Sequence, residues 1–262
     1  MVMPALDEED NITAALASAT QMAERLFTQH EIVVVDDGSH DRTASIALEA
    51  SGQDPRIRLV AHPSNLGYGA AFRTGVQAAS MDLVLFTDSD SQFDLMEVER
   101  LLEALARVDV AVGYRINRSE GLHRRFAMAS WSWVVRAALG ISFRDVDCAF
   151  KLFPRQLVQA MPLSSSGATI SAELLARLRL AGAAIEEVGV HHYPRTAGRP
   201  TGMRPRVILR AFRELASVRR LLRRAGGSPR ARRQNLRARD VPTGQVRPGH
   251  RLESRDVVHR PE

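Results

Sequence analysis

Asp88, Asp90 and Gln92 stand at alternate positions in "VLFTDSDSQFD", directly after an apolar run that reads as a buried strand. In an extended segment alternate residues face one way, so three oxygen-bearing side chains can converge. Two carboxylates about 4 Å apart repel by on the order of 4 kcal/mol at a near-surface effective dielectric of about 20, and a cation between them removes that cost. Hard oxygen donors of this type suit Mg2+ or Mn2+, which keep positions open for water and substrate phosphates. An EF-hand is excluded because its ligand pattern is missing. The plainer alternative is a solvated acidic loop that caps a helix.

A second acidic strand end is "VVVDDGSHDRT", where Asp36 and Asp37 exceed what a helix cap needs, and Ser39 or Asp41 could supply one. A carboxylate at a strand end can accept hydrogen bonds from a base or a ribose. "NLGYGAAFRTG" then opens a helix with Asn65, Gly67 and Gly69. Glycine lets backbone approach a ligand, and a helix N-terminus favours anions. No G-x-G-x-x-G is present, so a Rossmann dinucleotide site is not indicated.

Positioning these groups requires strands that end together. Short apolar segments at 1–3, 31–37, 56–61, 82–88 and 108–115 alternate with helical patterns at 9–27, 41–51, 68–80 and 95–107. That alternation indicates an α/β fold with a mainly parallel sheet and helices on both faces, whose ligands collect at the carboxyl ends of the strands. Further on, helices are expected at 121–139 and 169–181, a strand at 184–192, a loop at 191–202 and a basic amphipathic helix at 204–224. The chain therefore divides into a catalytic domain at 1–203, that helix, and an Arg-rich tail at 225–262 whose composition predicts disorder.

The net charge of +6 is unevenly spread. From Arg219 onward 13 Arg face 4 acidic residues, whereas residues 1–218 carry 23 basic and 26 acidic residues. Lys151 is the only lysine. A single cysteine, Cys148, rules out an internal disulfide and reads as a small buried hydrophobe. The acidic start "MVMPALDEED" is unlike a signal peptide, and no apolar run approaches the ~20 residues that span a bilayer. A cytoplasmic protein is expected. In the helix at 204–224, Ile208, Phe212, Leu215 and Leu222 share a face with Arg210, Arg213, Arg220 and Arg224 off it, which suits either an anionic membrane surface or packing on the domain.

"MPALDEEDNI", "VVVDDGSHDRT", "NLGYGAAFRTG", "DSDSQ" and "RDVDCAFKLF" occur in an order and at spacings that resemble family 2 glycosyltransferases, in the branch that includes the dolichyl-phosphate mannosyl- and glucosyltransferases. The similarity covers about residues 1–215. It implies an A-type glycosyltransferase (GT-A) fold that binds a nucleoside-diphosphate sugar, UDP- or GDP-linked, across the strand ends with Mg2+ or Mn2+ on its diphosphate. By that resemblance Pro4, Ala5, Glu8 and Asp37 hold the nucleoside, and Asp88, Asp90 and Gln92 surround the metal. Arg115 and Arg124, with Arg195 and Arg199 from the later loop, hold the phosphate of a polyprenyl acceptor. Asp7 replaces the family's usual Asn, Leu6 an aromatic, Met128 a serine and Ala149 a glycine.

A phosphate monoester, with a second pKa near 6, is already largely ionised at neutral pH and needs positioning rather than a general base. This matches a chain rich in Arg at 115–125 and 195–206 that has no Ser/His/Asp or Cys/His constellation. The expected reaction is transfer of a hexose to a polyprenyl phosphate with inversion, by a protein peripheral on the cytoplasmic face of the membrane. A glycan or small hydroxylated acceptor would instead require a carboxylate base, for which Asp145 or Asp147 qualifies. His191, His192 and Glu173 are weaker candidates for lining the pocket. A protein that binds nucleic acid through its tail is a further alternative, disfavoured by the absence of interleaved aromatics there.

Overall fold

The computed structural model describes residues 1–116, 122–195 and 205–226. Seven strands form one sheet: β1 (Val2–Ala5), β2 (Ile32–Asp36), β3 (Ile57–Ala61), β4 (Leu83–Phe86), β5 (Val110–Ile116), β6 (Lys151–Pro154) and β7 (Ile185–His191), in the order β3-β2-β1-β4-β6-β5-β7. Every neighbouring pair is parallel except those of β6, which runs antiparallel to β4 and β5. β1 and β2 are buried along their whole length, as strands covered on both faces must be. The helices are α1 (Ile12–Leu26), α2 (Thr43–Gln53), α3 (Tyr68–Ala78), α4 (Val98–Leu105), α5 (Leu122–Leu139), α6 (Arg155–Gln159), α7 (Ile170–Leu180) and α8 (Pro205–Gly226).

The chain runs outward from β1 through β2 to β3, then returns to place β4 on the other side of β1. That reversal opens a crevice at the carboxyl ends of β1 and β4. The two ends are bolted together by the Ser89 hydroxyl, which donates to the Pro4 carbonyl at 2.9 Å. Behind them, Phe72 of α3 meets Phe86 of β4 edge-on at 4.7 Å and Phe153 of β6 at 6.1 Å. Short as it is, β1 pairs with β2 at four positions.

Two elements were not expected. β6 takes up the end of "RDVDCAFKLF" and the Pro154 after it, and the short helix α6 follows directly. α8 does pack on the domain, but through Leu215, Val218 and Leu222, while Leu209 and Phe212 remain exposed. The buried stripe is thus rotated from the expected face, and Ile208 has its side chain outside the described residues. The tail from 227 onward also lies outside them, as do 196–204 of the later loop and its approach to α8. Among the described residues no helix is long and apolar enough to cross a membrane.

Candidate active site

The apolar strand β4 delivers its acids to the crevice because Thr87, the next residue, is still fully buried. Asp88 accepts a hydrogen bond from the Tyr68 hydroxyl of α3 at 2.8 Å. Asp90, with 13% of its side chain exposed, accepts from the Gln92 backbone N–H at 3.2 Å. Burial, and then the neighbouring Asp88 charge, push the Asp90 carboxyl up to about 7. Burial raises Asp88 as well, against the Tyr68 hydrogen bond and the positive charge of Lys151. Arg195 Nη1 stands 3.9 Å from Asp90 Oδ2.

Gln92 does not join the two acids in the expected way. Ser91 adopts a left-handed backbone with φ 57°, so the segment is not extended between Asp90 and Gln92. The Gln92 amide nitrogen donates to the Tyr193 carbonyl at 2.8 Å, and the Tyr193 N–H returns to the Gln92 carbonyl at 2.8 Å. Among the described residues no group of three or more His, Cys, Asp or Glu gathers for a metal. Two hard carboxylates held side by side nevertheless suit Mg2+ or Mn2+, which take one or two protein carboxylates and leave the other positions to water and phosphate.

This arrangement carries a test. A carboxyl with an ordinary value of 3.8 that folding raises to about 7 favours the folded state fully only at acid pH, and that contribution is lost as pH rises through about 7. At higher pH the pair is charged and no proton competes with an ion. The rise in Tm caused by Mn2+ is therefore expected to be larger at about pH 8 than at about pH 5.5, measured by thermal unfolding. Equal rises at both would dissociate the ion from these acids.

The opposite wall is built from the ends of β1 and β2. Pro4 and Ala5 are buried, and the segment after them is latched to the 39–43 turn. The Asp7 N–H donates to Ser39 Oγ at 2.9 Å, the His40 N–H to Asp7 Oδ1 at 2.8 Å, and the Glu8 N–H to Thr43 Oγ1 at 2.8 Å. Asp36 is 3% exposed, and its Oδ1 has no hydrogen-bond partner among the described residues. Such an acceptor costs about 1–3 kcal/mol when left unmade, and it fits a donor group on a ligand.

Asp37, by contrast, is fully engaged. Its Oδ1 accepts from the Leu66 N–H at 2.9 Å and pairs with His62 Nδ1 at 2.7 Å, while Oδ2 accepts from the Gly67 N–H at 2.8 Å. These contacts let Asp37 shape the 65–67 turn. Gly67, at φ 103°, answers to protein rather than ligand: a Cβ there would lie 2.3 Å from the Ser166 carbonyl oxygen. Asn65 is exposed beside this turn.

On the remaining side the expected acceptor arginines are distributed differently. Arg115 forms a two-pronged pair with Asp145, Nε to Oδ2 at 2.7 Å and Nη2 to Oδ1 at 2.9 Å. The same contact occupies Asp145, one of the two candidate bases. Arg195 pairs with Glu8, which links the later loop to the first one. Arg124 lies on α5 with its side chain outside the described residues, and Arg199 lies outside them altogether. Asp147, the other candidate base, is raised by burial, opposed by Lys151 and by a hydrogen bond with Trp131.

Three groups near the acids were not anticipated: Tyr68, Trp131 and Lys151. Lys151 is 1% exposed and donates to the carbonyl oxygens of Cys148 and, at 3.4 Å, Val146, and to Ser171 Oγ at 3.3 Å. Its one signal in the sequence is that it is the single lysine among 36 basic residues. Cys148 is buried and its thiol is pushed up to about 12, which fits an inert core residue. His191 pairs with Glu97 at 2.8 Å, and His192 meets Phe93 edge-on at 5.0 Å. Glu173 is fully buried and accepts from the Ser165 N–H at 2.7 Å and Arg177 Nε at 2.9 Å, so it holds a turn rather than lining a pocket.

Comparison with known proteins bears on this geometry. The profile described as Glycosyl transferase family 2 matches residues 1–160. An undecaprenyl-phosphate 4-deoxy-4-formamido-L-arabinose transferase of Pectobacterium carotovorum is 32% identical over 164 residues, covering 62% of this chain and 50% of that protein. The transferase of the same description from Yersinia pestis is 30% identical over 204 residues, covering 76% and 60%. The chain thus spans about half to three-fifths of these relatives. Glucosyl-3-phosphoglycerate synthase of Mycobacterium tuberculosis, solved with Mn2+, UDP-glucose and phosphoglyceric acid, superposes with a TM-score of 0.60 at 24% identity, covering 82% of this chain and 78% of that one. That likeness establishes the GT-A fold.

Proposed function

Because the chain belongs to glycosyl transferase family 2, we propose that it transfers a hexose, with inversion, from a nucleoside-diphosphate sugar to a polyprenyl phosphate at the cytoplasmic face of a membrane. The observation that carries this reading is the Asp88–Asp90 pair at the β1/β4 switch point, buried and repelling, with Asp90 pushed up to about 7. The acceptor class is supported by the relatives described as undecaprenyl-phosphate sugar transferases. A divalent ion and a UDP-type donor are supported by the synthase solved with Mn2+ and UDP-glucose.

In this mechanism Asp88 and Asp90 would hold Mg2+ or Mn2+. When bound, the ion supplies Lewis-acid neutralisation of the departing nucleoside diphosphate. The Tyr68 hydroxyl fixes the rotamer of Asp88. Asp36 Oδ1 accepts a hydrogen bond from the nucleoside, which satisfies its orphaned oxygen. Pro4 and Ala5 line the same wall, and Arg195 bridges Glu8 and Asp90 at the mouth. The acceptor phosphate brings its own charge, so orientation by Arg124, Arg195 and Arg199 takes the place of a general base.

A second reading, a hydroxylated acceptor, is favoured by one observation: burial raises the Asp147 carboxyl beside Lys151, as a base poised nearer neutrality would require. Incubation of the protein with labelled UDP- and GDP-hexoses and either undecaprenyl phosphate or the free alcohol separates the two. Label on the phosphate alone is the expected result. Turnover of the alcohol but not the phosphate would transfer the reading to Asp147.

Access to a lipid acceptor is supported by Leu209 and Phe212, exposed at 53% and 46% beside the arginines of α8, and by Trp133 of α5, exposed at 69%. Aromatic and aliphatic groups beside Arg suit an anionic bilayer surface. Vesicles of phosphatidylglycerol are expected to sediment the protein, and vesicles of phosphatidylcholine far less. Replacing Trp133 and Leu209 together with serine should weaken vesicle binding by roughly tenfold or more.

A further inference from the structure

α8 carries seven arginines and a single acidic residue, Glu214. An acid in so basic a helix would ordinarily sit among its arginines in water. Here its side chain is only 15% exposed and turns inward. Oε1 accepts from the Ser166 N–H at 3.3 Å, the Ser166 hydroxyl at 3.0 Å and the Gly167 N–H at 3.1 Å, and Oε2 from the Gly167 N–H at 3.2 Å. One turn earlier, Arg210 Nε donates to Glu214 Oε1 at 3.1 Å, while Nη2 reaches the Leu66 carbonyl at 3.4 Å and the Ser166 hydroxyl.

These contacts do more than dock the helix, since Leu215, Val218 and Leu222 already bury an apolar stripe. The Ser166 turn is pressed onto the turn at 65–69: its carbonyl accepts the Gly69 N–H at 2.8 Å, and it leaves no room for a Cβ on Gly67. From there the path to the acids is one residue long, because Tyr68 donates directly to Asp88. Asp37 grips the same turn from the sheet side through the N–H groups of Leu66 and Gly67. The turn is therefore clamped between β2 and α8.

We infer that Glu214 is a positioning residue for the donor site: through Ser166, Gly167 and Arg210 it sets the 65–69 turn and with it Tyr68 against Asp88, so that nucleotide-sugar affinity depends on how α8 is seated. This rests on the donor-site reading above. A helix that presents Leu209, Phe212 and arginines outward on one face and grips the donor turn with the other couples the two surfaces.

Calorimetric titration of the full chain with UDP and GDP in Mn2+, alongside donor kinetics, tests the inference. Glu214→Ala is expected to raise the donor Kd and KM about tenfold, with kcat falling by less, and Glu214→Gln, which keeps one acceptor oxygen, should fall between. Arg25→Ala, exposed in the last turn of α1, should match the wild type. Should Glu214→Ala not fold, Arg210→Ala replaces it, with about a threefold loss of donor affinity expected. Unchanged donor Kd in the folded variant, or a loss confined to kcat, overturns the role of Glu214. If the wild type binds neither nucleotide, the donor site itself falls and the inference falls with it.

Discussion

Asp90→Ala is expected to lower sugar transfer by about a thousandfold, the equivalent of about 4 kcal/mol of transition-state stabilisation, which is the scale of a divalent ion's charge neutralisation. Asp88→Ala should cost at least as much, since it also releases the Tyr68 hydroxyl. Stability should move the other way. Folding raises the Asp90 carboxyl to about 7, so its charged form is disfavoured in the ion-free protein at alkaline pH. Removing it should leave Tm unchanged or higher at about pH 8, while abolishing the rise that Mn2+ produces in the wild type. An acidic loop that merely caps a helix would show the reverse, a drop in Tm with transfer intact. Transfer at full speed in both alanine variants would remove the acid pair from the mechanism.

How much of this was readable in the chain depends on whether the relevant contact is local. Strand ends were legible because "VVVDD" joins a buried apolar run directly to acids and "LVLFTD" does so across Thr87 alone. What alternation could not reveal was the left-handed Ser91, which breaks the extended path between Asp90 and Gln92. β6 escaped notice because its four residues begin with Lys151, a residue normally solvated, and its pairing with β4 joins segments far apart in sequence. The glycines of the 65–69 turn were legible as a need for close approach, but the approaching backbone proved to be that of Ser165 and Ser166 rather than a ligand. On α8 the buried residues Leu215, Val218 and Leu222 are spaced as a helical stripe, but so is Phe212, and only the position of α5 leaves it half in solvent against Trp131.

Arg115 illustrates the same limit, and its replacement has the largest expected effect on stability. Its guanidinium and the Asp145 carboxylate are 12% and 3% exposed and meet through two hydrogen bonds. A third comes from the Arg115 N–H to Asp145 Oδ2 at 3.2 Å. Removing one partner of a buried pair leaves the other charge without its counter-ion and costs about 3–5 kcal/mol. For a domain of this size that corresponds to a fall of roughly 6–20 °C in Tm for Arg115→Ala. Asp145→Asn should cost less than Asp145→Ala, because the amide oxygen still accepts one hydrogen bond. Removing both partners together is expected to be less damaging than the sum of the single losses, since no charge is then stranded; chemical unfolding of the four proteins in a double-mutant cycle measures this directly. Were Arg115 instead held free for an acceptor phosphate, Arg115→Ala would leave Tm near that of the wild type and raise the acceptor KM. The Nε and Nη2 distances of 2.7 and 2.9 Å tie Arg115 to Asp145, and so to the turn that carries Asp147.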